Sequence, residues 1–436
     1  MMRIVNWQEL DAAQRSAALA RPAFAARADI AAVVAELIGT VRAEGDAALL
    51  RLTERFDGVR LESLAVGAAE FAAARSQLTP VQIAALMRAV ENVEKFHAAQ
   101  QLPPLSLETS PGVRCERISR PITAVGLYVP AGSAPLPSAV VMLAVPARLA
   151  GCPQRVLCTP PARDGGAHPA VLVAAQLCGI ETVFKVGGAQ AIAALAYGTA
   201  SIPKVDKIFG PGNAWVTAAK QQVAADPDGA AVDMPAGPSE VLVLADDSAR
   251  PDFVAADLLA QAEHDPQSQA ILVTPSAKLA GEVAAAVEQQ MATLSRHAIL
   301  VKSIAASRCI VVPDLKTAIQ VSNDYAPEHL LLQVRQARAC LSQIRNAGSV
   351  FLGDWSPEPM GDYCSGTNHV LPTYGYARAY SGLSLLDFSK RITVQELTPE
   401  GLRDLGPVAA TLAHLEGLDA HAAAVERRLV ALGNPS

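Results

Sequence analysis

Several common signals are absent from this sequence, and each absence excludes a class of protein. No apolar stretch approaches the roughly 20 residues that a membrane-spanning helix requires, and no cluster of Lys and Arg predicts a nucleic-acid or membrane-binding surface. The N-terminal residues lack the charged and then apolar order of a secretory signal, so we expect none. With a modest net charge of −6, the sequence favours a globular protein that binds a small molecule.

Cysteine is scarce and irregularly spaced. The sequence has seven cysteines, an odd number, and no C-x-x-C pair. This pattern predicts neither a disulfide framework nor a thiolate zinc site. We therefore expect a cytoplasmic protein with reduced thiols, in which Cys364 is a small, semi-buried side chain.

The standard nucleotide-binding fingerprints are also missing. There is no G-x-x-x-x-G-K-[ST], and no G-x-G-x-x-G follows a predicted strand. Two glycine turns, Val186–Gln190 and Phe209–Asn213, instead each join a predicted strand to a helix, where backbone can approach a ligand and a helix N-terminus favours an anion. They are equally typical of tight turns in an α/β sheet. Tyr128 ends another strand, where its ring could cover a nicotinamide or fill the crevice.

The apolar pattern nevertheless predicts an α/β fold. The first hundred residues read as helices, notably Asp29–Glu44 and Pro80–Gln100. Short apolar runs then alternate with helical stretches, which predicts two series of βαβ units with parallel sheets and a ligand cleft between two lobes. The predicted strands are Ala124–Val129, Arg155–Cys158, Thr182–Val186, Lys207–Phe209, Val241–Leu244, Ala270–Thr274, Arg308–Val312, Leu330–Leu332 and Ser349–Leu352.

One helical pattern carries an amide and an imidazole a turn apart. It begins at Pro251, and its apolar residues form one buried stripe beside Gln261 and His264. At i and i+3 the two side chains are neighbours and could reach one ion or ligand. The alternative is a polar histidine at the negative end of the helix dipole.

A carboxylate and an imidazole stand side by side at Glu328 and His329, just before an apolar strand. Their reference pKa values of about 4.3 and 6.5 give two proton acceptors of different basicity, which suits the oxidation of an alcohol. Neighbours in a strand point to opposite faces, so the alternative is a solvent-facing Glu beside a His at the core edge.

Two further segments carry polar residues of interest. The loop Gly361–Arg378 is dense in Gly, Pro, Ser and Asn, and Asp362 offers a hard oxygen ligand there. The tail is predicted as two helices, Pro407–Glu416 and Asp419–Leu432, that must pack on the body or on a second subunit. His421 lies in a first helical turn, which favours the neutral imidazole that binds metal; a docking tail is the alternative.

Taken together, these residues resemble the histidinol dehydrogenase family. The resemblance runs in order from about residue 25 to the C-terminus. Asp265 departs from it, because relatives often have Gly there. The segments that carry it are Pro235–Leu242, Ala255–His264, Tyr325–Leu330, Gly361–Thr373 and the turn with Glu416 and His421.

The resemblance implies an NAD-dependent zinc enzyme that oxidises L-histidinol to L-histidine through bound L-histidinaldehyde, with two NAD, in the last step of histidine biosynthesis. It implies a cytoplasmic, intertwined homodimer, with one zinc ion per subunit and a tail that completes the partner's site. The implied zinc ligands are Gln261, His264, Asp362 and His421. The implied substrate contacts are Ser239, Gln261, His264, Glu328, His329, Asp362, His369, Glu416 and His421, and the implied NAD contacts are Tyr128, Gln190 and Asn213.

In this interpretation zinc anchors the substrate, His329 is the base for the alcohol step, and Glu328 activates water for the aldehyde step. The alternative functions are those of a relative acting on another primary alcohol, of a zinc hydrolase, which is disfavoured by the lack of H-E-x-x-H, and of a non-catalytic metal-binding protein.

We predict two incomplete Rossmann-like lobes, a helical N-terminal region and a small helical tail domain. The predicted divisions are an N-terminal helical segment at 1–25, a zinc and catalytic α/β lobe at 26–122 with 238–380, a dinucleotide-binding lobe at 123–237 and a partner-packed tail at 381–436.

Overall fold

The computed structural model describes residues 2–22, 27–131, 134–235 and 237–433. The chain divides into two compact units: unit 1 comprises Met1–Ala99 and Thr123–Phe388, and unit 2 comprises Gln100–Ile122 and Ser389–Ser436. The strands, in chain order, are β1 (Arg3–Asn6), β2 (Leu105–Ser110), β3 (Val113–Pro121), β4 (Ala124–Tyr128), β5 (Gln154–Thr159), β6 (Thr182–Lys185), β7 (Lys207–Phe209), β8 (Ala231–Val232), β9 (Glu240–Ala245), β10 (Gln269–Thr274), β11 (Arg308–Val311), β12 (His329–Gln333), β13 (Ser349–Leu352) and β14 (Ser389–Leu397).

Helices account for much of the remaining described chain. They are α1 (Ala12–Ala18), α2 (Arg27–Glu44), α3 (Asp46–Asp57), α4 (Ala68–Ser76), α5 (Pro80–Ala98), α6 (Pro137–Ala150), α7 (Pro169–Leu177), α8 (Gly188–Tyr197), α9 (Ala214–Ala225), α10 (Pro251–Ala262), α11 (Ala277–Met291), α12 (His297–Ala305), α13 (Leu315–Tyr325), α14 (Ala337–Cys340), α15 (Glu358–Tyr363), α16 (Pro399–Leu415) and α17 (Asp419–Ala431). None of the described helices combines the length and apolar character needed to cross a membrane.

Unit 1 is built on two parallel sheets, which confirms the predicted fold class. Within the described residues, a six-stranded sheet has the order β1-β11-β10-β9-β12-β13, and a five-stranded sheet has the order β6-β5-β4-β7-β8. The central strands β4, β9 and β12 are buried along their whole length. Because helices cover both faces of such sheets, these strands read as continuous apolar runs rather than alternating ones.

Unit 2 combines an antiparallel sheet with two helices. Strand β3 pairs with both β2 and β14 in the order β14-β3-β2. The helices α16 and α17 pack on each other, and Gly406 of α16 lies against Val425 and Leu429 of α17, where an added Cβ would come within 3.2 Å of both.

Several local predictions were wrong. The first hundred residues are not all helical, because β1 pairs with β11 at the edge of the six-stranded sheet. Strands β2, β3, β8 and β14 were not predicted. β2 and β14 are largely exposed, β3 is mostly half-buried and β8 has only two residues, so the local pattern of each is weak. Helix α16 begins at Pro399 rather than Pro407, since the Thr398 side chain accepts a hydrogen bond from the Gly401 N–H and caps it. The predicted boundary at 25/26 lies outside the described residues, and the other domain boundaries remain predictions.

Candidate active site and metal cluster

A large cavity in unit 1 gathers most of the predicted site residues. Its volume is about 2070 Å³. Glu416 and His421 belong to unit 2, and their predicted roles remain predictions. The predicted residues that line the cavity are Tyr128, Gln190, Asn213, Ser239, Gln261, His264, Glu328, His329, Asp362 and His369.

The topology explains why residues far apart in sequence meet there. Strands β9 and β12 are parallel neighbours, so Ser239, Glu328 and His329 lie together at their amino ends. Helix α10 follows β9 and runs back across the sheet, which returns its C-terminal end to that same edge. His264 lies just beyond this helix, and its N–H donates to the Gln261 carbonyl. Both residues therefore face the cavity from the helix end rather than from its middle.

Glu328 and His329 form a buried acid–base pair. The Glu328 Oε2 accepts a hydrogen bond of 2.9 Å from the Glu240 N–H and lies 3.6 Å from the His329 Nδ1. Burial raises the pKa of Glu328 to about 8, partly opposed by His329. For His329, burial opposes the charged form, but Glu328, Asp362 and Glu358 outweigh it and raise the pKa to about 10. The alternative of a solvent-facing Glu328 is wrong.

A metal-capable cluster lies next to this pair. One ligand atom each from His264, Glu358 and Asp362 lie within 4.8 Å of one another. Burial opposes ionisation of Asp362, but His329 and His369 outweigh it and hold the pKa of that carboxyl well below its usual range. Burial lowers the pKa of His264, which favours the neutral imidazole that a metal needs.

The buried amide of Gln261 is a further candidate zinc ligand. Gln261 is 1% exposed, and neither its Oε1 nor its Nε2 has a hydrogen-bond partner among the described residues. A buried amide without partners is costly unless a ligand or ion satisfies it. An amide oxygen, an imidazole and a carboxylate at one place fit a zinc ion.

Glu358 was missed by the sequence analysis. It is 1% exposed, and its Oε1 lies 4.0 Å from the His329 Nε2. Asp362 was predicted in a loop, but it lies in the short helix α15, four residues after Glu358. The spacing i, i+4 puts both carboxyls on one helix face. Recognising that helix after Pro357 would have identified the pair.

His369 and Ser239 line the same cavity as the acid–base pair. The His369 Nδ1 donates to the backbone carbonyl of Asp362 at 2.8 Å, which leaves Nε2 as the acceptor. Ser239 precedes β9, and its carbonyl accepts from the Gln269 N–H. Both side chains border the cavity, as a substrate contact requires.

The carboxyl edge of the five-stranded sheet forms the other side of the cavity. The Gly188 N–H donates to the Tyr128 hydroxyl at 3.1 Å, and burial raises the pKa of Tyr128 to about 12. The Asn213 side chain caps α9 by accepting from the N–H groups of Trp215 and Val216. Tyr128 is 3% exposed, so its ring chiefly fills the crevice, although it borders the cavity.

This arrangement defines a class of protein. An acid–base pair and a metal-capable donor set share one cavity with glycine turns at helix N-termini, in a fold of two parallel sheets. Such a site is typical of an enzyme that binds a small substrate together with a phosphate-bearing cofactor.

Comparisons with known proteins identify the particular family. The profile of the histidinol dehydrogenase family matches residues 20–429. Histidinol dehydrogenase of Vibrio parahaemolyticus serotype O3:K6 is 56% identical over 428 residues, which cover 98% of this chain and 98% of that protein. The enzyme of Yersinia pestis is 56% identical over 431 residues, 99% of this chain and 96% of that protein. The crystal structure of histidinol dehydrogenase from Elizabethkingia anophelis matches with a TM-score of 0.95 and 45% identity, covering 99% of each chain. The chain belongs to the histidinol dehydrogenase family and is an oxidoreductase.

Proposed function

We propose that this chain oxidises L-histidinol to L-histidine through bound L-histidinaldehyde, using two NAD, as the final step of histidine biosynthesis in the cytoplasm. The observation that carries the proposal is the buried Glu328/His329 pair beside Gln261, His264 and Asp362 in one cavity. The named relatives support the same substrate. Of the described cysteines, Cys115, Cys158, Cys178, Cys309, Cys340 and Cys364 are free thiols, in keeping with a reducing compartment.

Gln261, His264 and Asp362 would hold one zinc ion per subunit, together with His421. When bound, the zinc ion would supply a Lewis-acidic anchor for the imidazole of the substrate. His369 and Ser239 would contact the rest of the substrate, and Glu416 would bind its amino group as a counter-charge. These contacts fix the carbinol carbon beside the acid–base pair.

His329, in its neutral form, would take the hydroxyl proton in the first oxidation; the charge of a bound zinc ion would offset the carboxyls that raise the pKa of His329. The carboxyls of Asp362, at 3.5 Å, and Glu358, at 4.0 Å from Nε2, stabilise the imidazolium that forms. In the second oxidation Glu328 would take a proton from the water that adds to the aldehyde. Its Oε2 accepts from the Glu240 N–H, which holds in position the carboxylate that would orient the attacking water. Burial of both groups keeps the reactive aldehyde away from bulk solvent.

The hydride acceptor in each step would be the nicotinamide of NAD. Tyr128, Gln190 and Asn213 are the proposed contacts, at the strand-to-helix turns of the five-stranded sheet. The N-terminus of α9 follows Asn213 directly, and the positive end of the helix dipole would favour a phosphate, although the Asn213 side chain already accepts from the N–H groups of Trp215 and Val216.

We further propose an intertwined homodimer in which Glu416 and His421 serve the site of a second copy. Leu405, Val408, Leu412 and Leu415 recur along α16 at intervals of three and four residues, and all are exposed, Leu415 by 79%. Such a stripe is the pattern of a helix that packs against another surface. A second copy of the chain is the occupant we propose.

The decisive experiment is NADH formation from L-histidinol, with and without a zinc chelator, with other primary alcohols as alternative substrates. We expect two NADH per L-histidinol and loss of activity on chelation, restored by zinc. Turnover of another primary alcohol in preference to L-histidinol would favour the rival substrate, and no NADH from any alcohol would contradict the proposal.

The shared site has its own test. Glu328→Gln and His421→Ala variants, each inactive alone, are mixed under conditions of subunit exchange. If His421 acts on the partner's zinc, heterodimers contain one intact site and recover part of the activity. Verified heterodimers without recovery would contradict the shared site.

A further inference from the structure

Arg21 is buried behind the acid–base pair. Its side chain is 12% exposed, and it is not among the described residues that line the cavity. The Arg21 Nε donates to the Glu240 Oε2 at 2.5 Å, and Nη2 donates to Oε1 at 2.7 Å. Two parallel bonds between a guanidinium and a carboxylate fix both direction and distance.

The same guanidinium also holds the turn that precedes Glu328. The Arg21 Nη2 donates to the carbonyls of Tyr325 and Ala326, at 2.8 and 3.4 Å. The guanidinium carbon lies 4.0 Å from the centre of the Tyr325 ring. Ala326 has φ of 54°, a left-handed conformation that a residue with a side chain adopts only when its surroundings enforce it. Arg21 is part of those surroundings.

Glu240 transmits this anchoring to both members of the pair. Its N–H donates to the Glu328 Oε2 at 2.9 Å, and its carbonyl lies 3.4 Å from the His329 Nδ1. Its side chain is fixed by Arg21 and contacted by the Tyr325 hydroxyl, which shares its one proton between Glu240 Oε2 at 3.2 Å and Gln269 Oε1 at 2.8 Å. One guanidinium therefore holds the starts of β9 and β12, the two strands that present the acid–base pair.

We infer that Arg21 is a positioning residue for Glu328 and His329. The inference rests on the roles proposed above for that pair. It assigns a catalytic consequence to a residue of the N-terminal segment that is not among the described residues lining the cavity. Loss of the Arg21 guanidinium would keep the Glu328 and His329 side chains but allow them to shift. A displacement of about 1 Å can lower the rate roughly 10²-fold.

The test compares Arg21→Met and Arg21→Lys with a control, Arg308→Met. Arg308 also holds the N-terminal segment, by donating from Nη1 to the Ala17 carbonyl at 3.0 Å, but its Nη2 donates to the Ala306 carbonyl at 3.4 Å rather than to Glu240. We expect Arg21→Met to lower kcat roughly 10²-fold with KM for L-histidinol within a few-fold and zinc content unchanged. Arg21→Lys keeps the positive charge but cannot form the two parallel hydrogen bonds to Glu240, so its kcat should lie between those of the wild type and Arg21→Met. Arg308→Met should keep the wild-type kcat.

A further variant addresses folding, because Arg21→Met leaves the Glu240 carboxylate buried and unpaired. Arg21→Met combined with Glu240→Gln removes that charge, and we expect kcat to stay low in the folded double variant. Wild-type kcat in either Arg21→Met variant, or an equal loss in Arg308→Met, would overturn the inference. Failure of the proposed function would look different, since the wild-type protein itself would then form no NADH from L-histidinol.

Discussion

The two sheets of unit 1 face the cavity with opposite ends. The five-stranded sheet contributes its carboxyl ends, where Tyr128 and the glycine turns lie. The six-stranded sheet contributes its amino ends, where Ser239, Glu328 and His329 lie. The first edge follows the rule that ligands bind at the carboxyl ends of parallel strands, and the second does not.

The two edges also differ in what carries their chemistry. At the carboxyl edge, the groups available to bind a ligand are mainly backbone groups and helix N-termini. The buried charges there already have partners, as in the pair of Lys220 with Asp233. At the amino edge the chemistry comes from polar and ionisable side chains, and among the described residues the Gln261 amide and the Glu358 Oε1 have no hydrogen-bond partner. Changes at the amino edge should therefore affect kcat and metal binding, and changes at the carboxyl edge should affect stability and KM for NAD.

The largest expected effect is that of Glu328→Gln. Gln keeps the acceptor for the Glu240 N–H but cannot take a proton, and a positioned general base contributes about 10²–10⁴-fold. We expect oxidation of L-histidinaldehyde to fall by that factor, and oxidation of L-histidinol to fall less. Single-turnover measurements started from each compound separate the two steps.

His329→Gln is the matched variant from the same edge, and it should show the opposite preference by impairing the alcohol step more. Zinc content is measured in both, so that loss of metal is not mistaken for loss of a base. Equal losses in the two half-reactions for both variants would contradict the division of roles.

At the carboxyl edge, Lys220→Met tests whether a satisfied ion pair maintains the glycine turn. The Lys220 Nζ donates to the Gly210 carbonyl at 2.9 Å and pairs with Asp233, whose other oxygen accepts from the Gly210 N–H at 2.8 Å. Removing the lysine leaves a carboxylate buried, which costs about 3–5 kcal/mol in free energy of unfolding. Urea unfolding measures this, and KM for NAD should rise.

Two further variants calibrate that effect. Lys220→Met with Asp233→Asn removes both charges and should recover part of the free energy of unfolding. Arg42→Met breaks a pair with Asp226 whose side chains are 44% and 26% exposed, and it should lower the free energy of unfolding far less than Lys220→Met does. A similar loss in free energy of unfolding for Lys220→Met and Arg42→Met would contradict the expectation that the buried pair matters more for stability than the exposed one.

Glu358→Ala tests the amino edge through its metal. We expect zinc affinity to fall about 10–100-fold, which is typical when a group that orients a metal ligand is removed. Glu358→Gln keeps the side-chain volume and should lose less. Chelator competition gives the affinities, with Glu263→Gln as the control, since Glu263 lines the cavity beside His264 but lies outside the cluster. Equal affinities in Glu358→Ala and Glu263→Gln would contradict a role for Glu358.

The same contrast explains what could be predicted from sequence. The buried parallel strands were found because their apolar runs are a local signal, and most site residues followed from the resemblance to a family. Strands β1, β2, β3, β8 and β14 were not found, since short or exposed strands depend on distant partners. Glu358 and Arg21 were missed for a related reason: their importance comes from what tertiary packing places beside them, and no local pattern records that.

The smallest expected effect concerns His97, a buried residue of α5 that lies behind the loop of His369. Its Nδ1 donates to the Val93 carbonyl at 2.9 Å, and its Nε2 lies 3.3 Å from the Asn368 amide nitrogen. Burial lowers the pKa of His97 below 6.5, and the Val93 bond only partly opposes this.

Because the unfolded chain takes up this proton more readily than the folded one, the contribution of neutral His97 to stability is full above about pH 6.5 and is lost as the pH falls below it. Relative to His97→Gln, the wild-type free energy of unfolding should therefore decline at low pH, by at most about 1.4 kcal/mol per pH unit. Val90→Ala, a buried change on the same helix without a titrating group, should cost the same amount at every pH. Urea unfolding between pH 7.5 and 5 measures all three proteins. A difference between wild type and His97→Gln that stays constant with pH would show that His97 keeps its ordinary pKa in the folded protein.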